Sequence, residues 1–236
     1  MEQIEKKENS LVFRVEINES LANAIRRYIN EIPVFAIEDI EISKNDSPLY
    51  DETIAHRIGL VPIKMENHLD EKKTKIILAS KKEGVIYSGE LTGAGIVYDK
   101  IPLTTLSKGQ ELKLTATGKF GKGKDHAKFS PGLMFYREVL ELSIFKSLSE
   151  EIKKACQNNE IKEKANKIIV LDNQKKEVAD RCEFICEKNN KPPEIIKTNE
   201  LIISLESFGQ IDSENIFKKA VNVLKKDLTE LEKKLK

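Results

Sequence analysis

Three cysteines are the side chains of this sequence best suited to hold iron or zinc. Cys182 and Cys186 have the spacing of the third and fourth ligands in a bacterial ferredoxin run, C-x2-C-x2-C-x3-C-P. Lys176 and Ala179 then occupy the first and second ligand positions, where the run requires cysteine. Cys156 is interpreted as the fourth cysteine of an earlier run whose first three are gone. The spacing indicates a ferredoxin-like module that has lost its iron–sulfur cluster.

Three interpretations of these thiols stay open. A [3Fe–4S] or [4Fe–4S] cluster, or a zinc ion, would use Cys156, Cys182 and Cys186, although four cysteines are the usual ligand set. The third interpretation is that all three cysteines are structural thiols. Because two ligand positions are lost, we expect no cofactor, and iron and acid-labile sulfide analysis distinguishes these outcomes.

A glycine-rich segment comes close to the P-loop that cradles phosphate groups. Gly118, Gly123 and Lys124 match G-x4-G-K, which needs Ser or Thr next to hold Mg²⁺ and then a helix. Asp125 follows instead and would repel phosphate, and Ser-Pro-Gly at 130–132 prevents a helix. We therefore predict a basic surface loop, which either is a plain loop or contacts a partner protein or nucleic acid.

The three histidines give no sign of a catalytic site. His56, His68 and His126 are far apart along the chain, and none stands in an H-E-x-x-H pattern. No serine occupies a G-x-S-x-G turn, and no pair of carboxylates stands out as acid and base. The sequence therefore predicts no catalytic site on this chain.

One stretch, residues 51–63, carries both start and stop signals for a short helix. Asp51 can cap the first amide groups, and Glu52 places negative charge at the positive end of the helix dipole. Gly59 can adopt the left-handed conformation that ends a helix, and Pro62 prevents its continuation. So many signals in 13 residues predict a rigid element that is presented to a partner.

Two helices are predicted to have long apolar faces. Residues 21–32 place apolar side chains three and four apart, and Pro33 ends this helix. The C-terminal helix begins at Asp212 or Ser213, and its apolar residues recur in alternating steps of four and three, an a/d seam. The seam consists of Phe217, Val221, Leu224, Leu228, Leu231 and Leu235. The chain's own sheet can cover the first half of the seam, whereas the second half is expected to meet a helix of a partner chain.

Short strands dominate the rest of the pattern. Alternating apolar residues predict strands at 11–17, 34–43 and 201–206, and a longer one at 133–145. Further strands are predicted at Lys75–Ala79, Val85–Leu91, Ile96–Tyr98, Glu111–Gly118 and Lys167–Leu171. The sequence therefore predicts an α+β fold in which a sheet supports the two long helices.

Composition and charge argue against several classes of protein. With 40 basic and 39 acidic residues, the net charge is +1, so a general attraction to nucleic acid is not indicated. No run of about 18 apolar residues is present, and the polar start lacks a signal-peptide core. Three cysteines in a chain of this length do not make a secreted disulfide scaffold. We expect a cytoplasmic protein.

Three motifs in this order resemble a known family. They are residues 21–27 (LANAIRR), 51–63 (DETIAHRIGLVPI) and 126–131 (HAKFSP). The family is that of the RNA polymerase subunits similar to the N-terminal domain of the bacterial α chain, with counterparts in archaea and eukaryotes. The second motif is specific, whereas the first alone would be weak. The ferredoxin-like module points to the archaeal branch, in which some members carry a cluster and others do not.

The resemblance implies a discontinuous α+β architecture. Residues 1–47 and 200–236 would form the dimerisation domain, a sheet with two long helices. Residues 48–146 would form an inserted β-rich domain. Residues 147–199 would form a small ferredoxin-like α+β insert without a cluster.

The resemblance also implies a non-catalytic assembly platform for transcription. Members of this family form a heterodimer with the smaller subunit L and dock the large catalytic subunits, with small subunits N and P joining. Neither direct DNA binding nor membrane contact is expected. The implied dimer interface comprises Leu21, Ile25, Tyr28, Ile29, Phe217, Val221, Leu224, Leu228 and Leu231. The implied docking residues for the large subunits are Asn23, Arg26, Arg27, Asp51, Glu52, His56, Arg57, His126 and Lys128.

Two other functions stay open. An iron–sulfur redox or electron-transfer protein would be built on the ferredoxin-like module, and a visible absorbance band would reveal it. A stand-alone nucleic-acid-binding protein would use the loop at 118–128 and would give a strongly salt-dependent gel shift. The missing cysteines weigh against the first function, and the near-neutral net charge weighs against the second.

Overall fold

The computed structural model describes residues 1–156 and 159–235, which form an α+β fold. In this part of the chain the helices are α1 (Glu19–Tyr28), α2 (Asp51–Gly59), α3 (Ser149–Ala155), α4 (Ala179–Lys188) and α5 (Ser213–Leu235). The strands are β1 (Glu2–Lys7), β2 (Ser10–Glu16), β3 (Pro33–Asn45), β4 (Lys75–Ser80), β5 (Gly84–Tyr87), β6 (Pro102–Leu106), β7 (Leu112–Lys122), β8 (Gly132–Phe145), β9 (Glu160–Lys164), β10 (Lys167–Asp172) and β11 (Glu194–Ser207). The predicted α+β fold is confirmed at this level.

Internal packing divides the chain into two compact units. The first unit consists of Met1–Arg26 and Met134–Glu206, and the second consists of Arg27–Leu133 and Ser207–Lys236. The resemblance implies a different division: a dimerisation domain of residues 1–47 and 200–236, with inserts at 48–146 and 147–199. Packing within one chain does not test that division, so those boundaries stay a prediction.

The first unit is built on a six-stranded sheet in the order β1-β2-β11-β8-β10-β9. β2 pairs antiparallel with β1 and β11, and β10 pairs antiparallel with β8 and β9. β2 and β11 confirm the strands predicted at 11–17 and 201–206. Their buried residues meet across the ladder, where Phe13 is paired with Ile203.

The sequence pattern gave no indication of β1. Its residues are mostly charged or polar and exposed, so the apolar alternation of a half-buried strand is absent. The strand forms because its backbone pairs with β2. Glu2 adds an ion pair of 2.5 Å with Arg14 on that neighbour. Charged side chains on an edge strand also discourage pairing with other chains.

Residues 147–199, which were predicted to form a ferredoxin-like insert, contribute β9 and β10 to this sheet and pack α3 and α4 against it. Leu142 of β8 pairs with Val170, and Ile144 pairs with Ile168. These four side chains share an apolar core with the buried faces of α3 and α4. The strand predicted at 167–171 is confirmed as β10. β9 was not predicted, because its side chains are mostly charged and lack apolar alternation.

The second unit contains a three-stranded sheet, β3-β7-β4, and a two-stranded sheet of β5 and β6. Ile54 and Ile58 of α2 are fully buried in its apolar core, together with Phe35 and Ile37 of β3. Because Ile54 and Ile58 are four residues apart, they lie on one face of the helix, as the sequence predicted. This core fixes the orientation of α2, whose other face remains exposed.

The ends of α2 differ from the predicted caps. Tyr50 precedes the helix, and its carbonyl accepts the first two helical hydrogen bonds at 3.0 and 3.1 Å. Asp51 caps no amide group; it lies in the first turn and accepts a 2.7 Å hydrogen bond from Asn45 Nδ2. Gly59 is the last helical residue, and Leu60 ends the helix in a right-handed conformation. The predicted left-handed glycine cap is therefore wrong.

β7 extends further than predicted and replaces the first part of the predicted basic loop. It continues to Lys122, paired in register with β3. A Cβ atom at Gly118 would lie 2.5 Å from the ring of Phe35, and one at Gly121 would lie 2.6 Å from the ring of Phe129. These glycines therefore allow close packing of aromatic rings on a strand, and they do not form a phosphate-binding turn.

Three shorter elements also differ from the sequence pattern. The helix predicted over 21–32 ends at Tyr28 and continues as a 3-10 turn at Ile29–Glu31. In place of a strand at 96–98, the backbone makes one isolated bridge between Ile63 and Ile96. β6 was not predicted, because it begins at a proline and, with only five residues, offers little alternation.

Candidate docking surfaces

One apolar stripe of α5 holds the helix in place within the second unit. Ile216 and Ala220 are fully buried, and Val223 continues the stripe as a half-buried residue. Their spacing of four and three is the same helical periodicity that the sequence analysis used for the neighbouring seam. The sequence therefore contained a signal for this stripe, but the larger leucines of the seam hid it.

The predicted a/d seam of α5 lies beside that stripe and is progressively uncovered. Phe217, Val221 and Leu224 are half-buried. Leu228 is 56% exposed, Leu231 is 54% exposed and Leu235 is 80% exposed. At 1.5 Å per residue, the uncovered part of the seam, from Leu228 to Leu235, is about 10 Å long. Exposed apolar residues grouped in this way are typical of protein–protein contact surfaces.

Tyr28 and Ile29, two of the predicted interface residues, contact the chain itself. Ile29 is buried. Burial, and the nearby carboxylate of Asp227 that hydrogen-bonds to it, raise the pKa of the Tyr28 hydroxyl. This contact ties the end of α1 and the following turn to α5. On α1, Leu21 is 43% exposed and Ile25 is buried. The predicted interface residues therefore differ widely in how accessible they are, and their role stays a prediction.

The exposed face of α2 presents three of the predicted docking residues. Glu52 and His56 point outward and have no hydrogen-bond or ion-pair partner among the described residues. Arg57 is also exposed, but its Nη1 donates a 2.8 Å hydrogen bond to the carbonyl of Leu103. Asp51 is held by Asn45, as described above. On this face, Glu52 and His56 are therefore available to a partner, whereas hydrogen bonds within the chain already orient Asp51 and Arg57.

The polar face of α1 carries three further docking candidates. Asn23 Oδ1 accepts hydrogen bonds from Arg26 Nε and Nη2, at 3.2 and 2.9 Å. This contact fixes the guanidinium of Arg26 along the helix. Arg27 is exposed and has no partner among the described residues. Two cations on successive residues thus form a small positive surface.

His126 and Lys128 are held firmly by the second unit. His126 Nδ1 accepts a 3.1 Å hydrogen bond from the backbone amide of Lys128. The Lys128 ammonium donates to the carbonyl of Ile37 at 2.9 Å and pairs with Glu38, and it lies 5.1 Å from the ring centre of Phe129. Lys128 is therefore a structural contact of the β3 sheet, and the docking role that the resemblance implies for it stays a prediction.

The other lysines of the glycine-rich segment are also paired. Lys122 and Lys124 both lie 2.9 Å from the carboxylate of Glu31, and these contacts lower the pKa of Glu31 against the effect of its burial. Lys119 shares Glu38 with Lys128. Two carboxylates are shared by four lysines, so about half of the positive charge is compensated within the chain, which weakens the segment as an electrostatic surface for nucleic acid.

The three cysteines lie in one apolar core together with residues of β8, β10, α3 and α4. All three are buried, and the Sγ atoms of Cys156 and Cys182 are 3.1 Å apart. This contact lowers the pKa of Cys156 and, together with burial, raises the pKa of Cys182. Burial also raises the pKa of Cys186. Two of the three sulfurs are therefore held as neutral thiols.

This donor set does not fit an iron–sulfur cluster or a zinc ion. Thiolates on a tetrahedral zinc are about 3.8 Å apart, given a Zn–S bond of about 2.3 Å, and cluster thiolates bind separate irons. The contact between Cys156 and Cys182 leaves no room for a metal between them. Within residues 1–156 and 159–235, no group of three His, Cys, Asp or Glu side chains is arranged to hold a metal.

Comparison with known proteins gives one consistent result. The family model described as the RNA polymerase Rpb3/Rpb11 dimerisation domain matches residues 13–228. The chain is 32% identical to DNA-directed RNA polymerase subunit Rpo3 of Pyrococcus horikoshii, over 94% of this chain and 92% of that relative. It is 30% identical to the subunit Rpo3 of Thermococcus kodakarensis, over 94% of this chain and 92% of that relative. The subunit Rpo3 of Methanothermobacter thermautotrophicus is 30% identical, over 94% and 93% respectively. Among the described helices, none has the length and apolar character needed to cross a bilayer.

Proposed function

Because this chain belongs to the RNA polymerase Rpb3/Rpb11 dimerisation-domain family, we propose that it is a non-catalytic assembly subunit of an archaeal DNA-directed RNA polymerase. The relatives compared above are named as subunit Rpo3 of that enzyme. The alignments cover more than nine-tenths of this chain and of each relative. The chain is therefore a subunit of a nucleotidyltransferase complex whose chemistry takes place on other chains.

The exposed seam of α5 is the observation that carries this proposal. Leu228 and Leu231 stand more than half exposed on a helix whose other apolar stripe is already buried. A seam with steps of four and three is the surface by which two helices pack together. The proposed occupant is a helix of the smaller subunit L, so that the two chains form a heterodimer. Leu21 supports the same proposal as an exposed leucine on α1.

The remaining members of the proposed dimer interface act at its margin or beneath it. Tyr28, Phe217, Val221 and Leu224 are half-buried, so a partner would complete their burial. Ile25 and Ile29 are already covered by the chain itself, so they have little surface left for a partner to cover.

A second proposed surface docks the large catalytic subunits, with small subunits N and P joining. It comprises Asn23, Arg26, Arg27, Asp51, Glu52, His56, Arg57, His126 and Lys128. Arg27, Glu52 and His56 are the members most available to a partner, because they are exposed and unpaired among the described residues. Charged groups on short rigid elements give a complex its orientation and specificity more than its affinity.

The dimer proposal is tested with the double variant Leu228→Asp and Leu231→Asp. Both side chains are exposed in the chain alone, so the variant is expected to fold. At a helix–helix interface two unpaired carboxylates would cost several kcal/mol, so subunit L should no longer co-purify with the chain. Affinity capture after co-expression measures the amount of L that is retained.

The matched control is Asn222→Asp with Thr229→Asp, which adds the same charge to exposed polar positions of α5. This control should retain L at the level of the unchanged chain. Full retention of L by the leucine variant would place the interface elsewhere. Equal loss in both variants would mean that charge on the helix, and not the seam, controls binding.

Neither alternative function is favoured by the geometry. The paired lysines of residues 119–128 weigh against a stand-alone nucleic-acid-binding protein, and the contact between Cys156 and Cys182 weighs against an electron-transfer centre. The cytoplasm is the proposed compartment, because a transcribing polymerase works where its DNA template lies.

A further inference from the structure

A cleft in the first unit is lined by an excess of positive charge. Its volume is about 520 Å³, and β1, α3, α4 and the segment between β10 and α4 contribute to its walls. The basic lining residues are Lys154, Lys175, Lys176 and Arg181, and Glu5 is the acidic residue among those described. The cleft is open to solvent, and most of the residues that line it are polar or charged.

Three of the four cations have no ion-pair partner among the described residues. Lys154, Lys176 and Arg181 are exposed at the cleft and form no salt bridge there. Several other lysines of the same unit do form ion pairs, as Lys153 does with Glu163 at 2.7 Å. The wall of the cleft therefore carries a local positive charge that the near-neutral chain does not compensate at this site.

Glu5 does not cancel this charge. Its carboxylate is held by Lys175 and, at 2.6 Å, by Lys7, which lies outside the cleft lining. Hydrogen bonds from these two lysines lower the pKa of Glu5, so the group stays ionised and fully engaged. An incoming anion would therefore face Lys154, Lys176 and Arg181 without a free carboxylate to repel it.

A buried carboxylate already accepts hydrogen bonds from two amide groups at the start of α4. Asp172 is fully buried, and its Oδ2 accepts from the backbone amides of Val178 and Ala179, at 3.3 and 3.4 Å. Its Oδ1 accepts from Arg137 Nη2 at 3.1 Å. Asp172 therefore places a negative charge at this end of the helix, so the contacts of an anion in the cleft must come from the side-chain cations.

We propose that this cleft binds a small anion that carries a chain of two or three phosphate groups. A polyphosphate concentrates several negative charges in a short length, so it can meet several lysines and an arginine within one cleft. The planar guanidinium of Arg181 suits bidentate contact with phosphate oxygens, and the lysines act as point charges. A free polyphosphate and the phosphate tail of a nucleotide share this chemistry.

The test is isothermal titration calorimetry of the full-length chain with sodium tripolyphosphate and, separately, with ATP, in the absence of divalent cations. The site variant is Lys176→Gln with Arg181→Gln, which should raise the Kd for tripolyphosphate about tenfold or more. The control is Lys82→Gln with Lys108→Gln, which removes the same charge from exposed lysines of the second unit. The control should change the Kd less than about twofold.

Three results would overturn the proposal. The first is no binding heat with either ligand at about millimolar concentration. The second is equal weakening in the site variant and the control, which would indicate general charge attraction. The third is a single-stranded oligonucleotide that displaces tripolyphosphate and binds as tightly per phosphate, which would identify a nucleic-acid surface. By contrast, we expect ATP to bind no more tightly than tripolyphosphate. This result would show that the cleft recognises the phosphate groups alone.

Discussion

The ion pairs of Glu38 show why the accessibility of a basic segment is hard to predict from sequence. Residues 119–128 are rich in lysine, so the pattern favours an accessible positive loop. In the folded chain, Lys119 and Lys128 share Glu38, which lies 81 and 90 residues away in sequence. A pairing over that separation depends on the β3–β7 register, and no local pattern contains it. The lysines are therefore structural, which the sequence could not reveal.

Glu38→Gln tests this ion-pair cluster through the pH dependence of stability. Hydrogen bonds from Lys119 and Lys128 lower the pKa of Glu38 below its ordinary value of 4.5. The ionised carboxylate therefore stabilises the fold above that value, and the stabilisation is lost as the pH falls through the lowered pKa. We expect the variant to lower the free energy of unfolding by about 1 kcal/mol at neutral pH.

Urea denaturation of the unchanged chain and of the Glu38→Gln variant measures this effect. The difference between them should be present near pH 7 and should shrink towards zero as the pH falls below 4.5. A difference that stays the same from neutral to acidic pH would show that the ion pairs with Glu38 do not contribute to stability.

Two glycines provide a second test at the residue scale. A Cβ atom at Gly121 would lie 2.6 Å from the ring of Phe129, whereas one at Gly59 would meet nothing within 4 Å. Gly121→Ala should therefore destabilise the fold by about 1–3 kcal/mol through overpacking. Gly59→Ala should stabilise it by about 0.5–1 kcal/mol, because alanine suits a helix better than glycine. Thermal unfolding followed by circular dichroism compares the two, and an equal shift of Tm would contradict the packing argument.

At the scale of elements, α2 was predicted closely and for a clear physical reason. Ile54 and Ile58 place one face in the core, and Pro62 follows soon after the helix, so the signals are local. The caps were predicted less well, because Asp51 accepts a hydrogen bond from Asn45 and does not cap an amide group. Local propensity states what a residue can do, whereas the tertiary neighbours decide which contact forms.

The exposed face of α2 is tested by the double variant Glu52→Gln and His56→Ala. Neither side chain has a partner among the described residues, so stability and pairing with subunit L should be unchanged. Recruitment of a large catalytic subunit should fall severalfold, as expected when charged contacts that orient a complex are lost. Pull-down of the large subunit by the preformed heterodimer measures this recruitment.

The matched control for α2 is Glu83→Gln with His68→Ala, which changes the same residue types at exposed positions of the second unit. Arg57→Ala is a weaker probe, because it also leaves the carbonyl of Leu103 without its 2.8 Å partner. If the Glu52/His56 variant recruits the large subunit as well as the control does, the docking role of this face is wrong.

The segment predicted as a ferredoxin-like module differs from α2, because its decisive contact is not local in sequence. The spacing of Cys182 and Cys186 indicated a degraded cluster-binding run, and both residues are indeed on one buried face of α4. The contact between Cys156 and Cys182 joins residues 26 apart and could not be predicted from spacing. The argument against a cluster therefore rests on this close contact as well as on the missing ligands.

At the scale of the whole molecule, short sequence motifs were the best guide to the family. The three motifs indicated the family, and the family model and relatives agree with it over nearly the whole chain. The pairing order of the six-stranded sheet was not predictable, because β1 and β9 lack apolar alternation. Fold class and family therefore came from local pattern, whereas register and edge strands required the structure.

The central claim is that α5 leaves an apolar seam that a different polypeptide covers. Sedimentation velocity of the chain, alone and after co-expression with subunit L, tests it most directly. The account predicts a stable 1:1 heterodimer with L and a chain that self-associates or aggregates when L is absent. A well-behaved monomer that sediments identically with and without L would contradict the account.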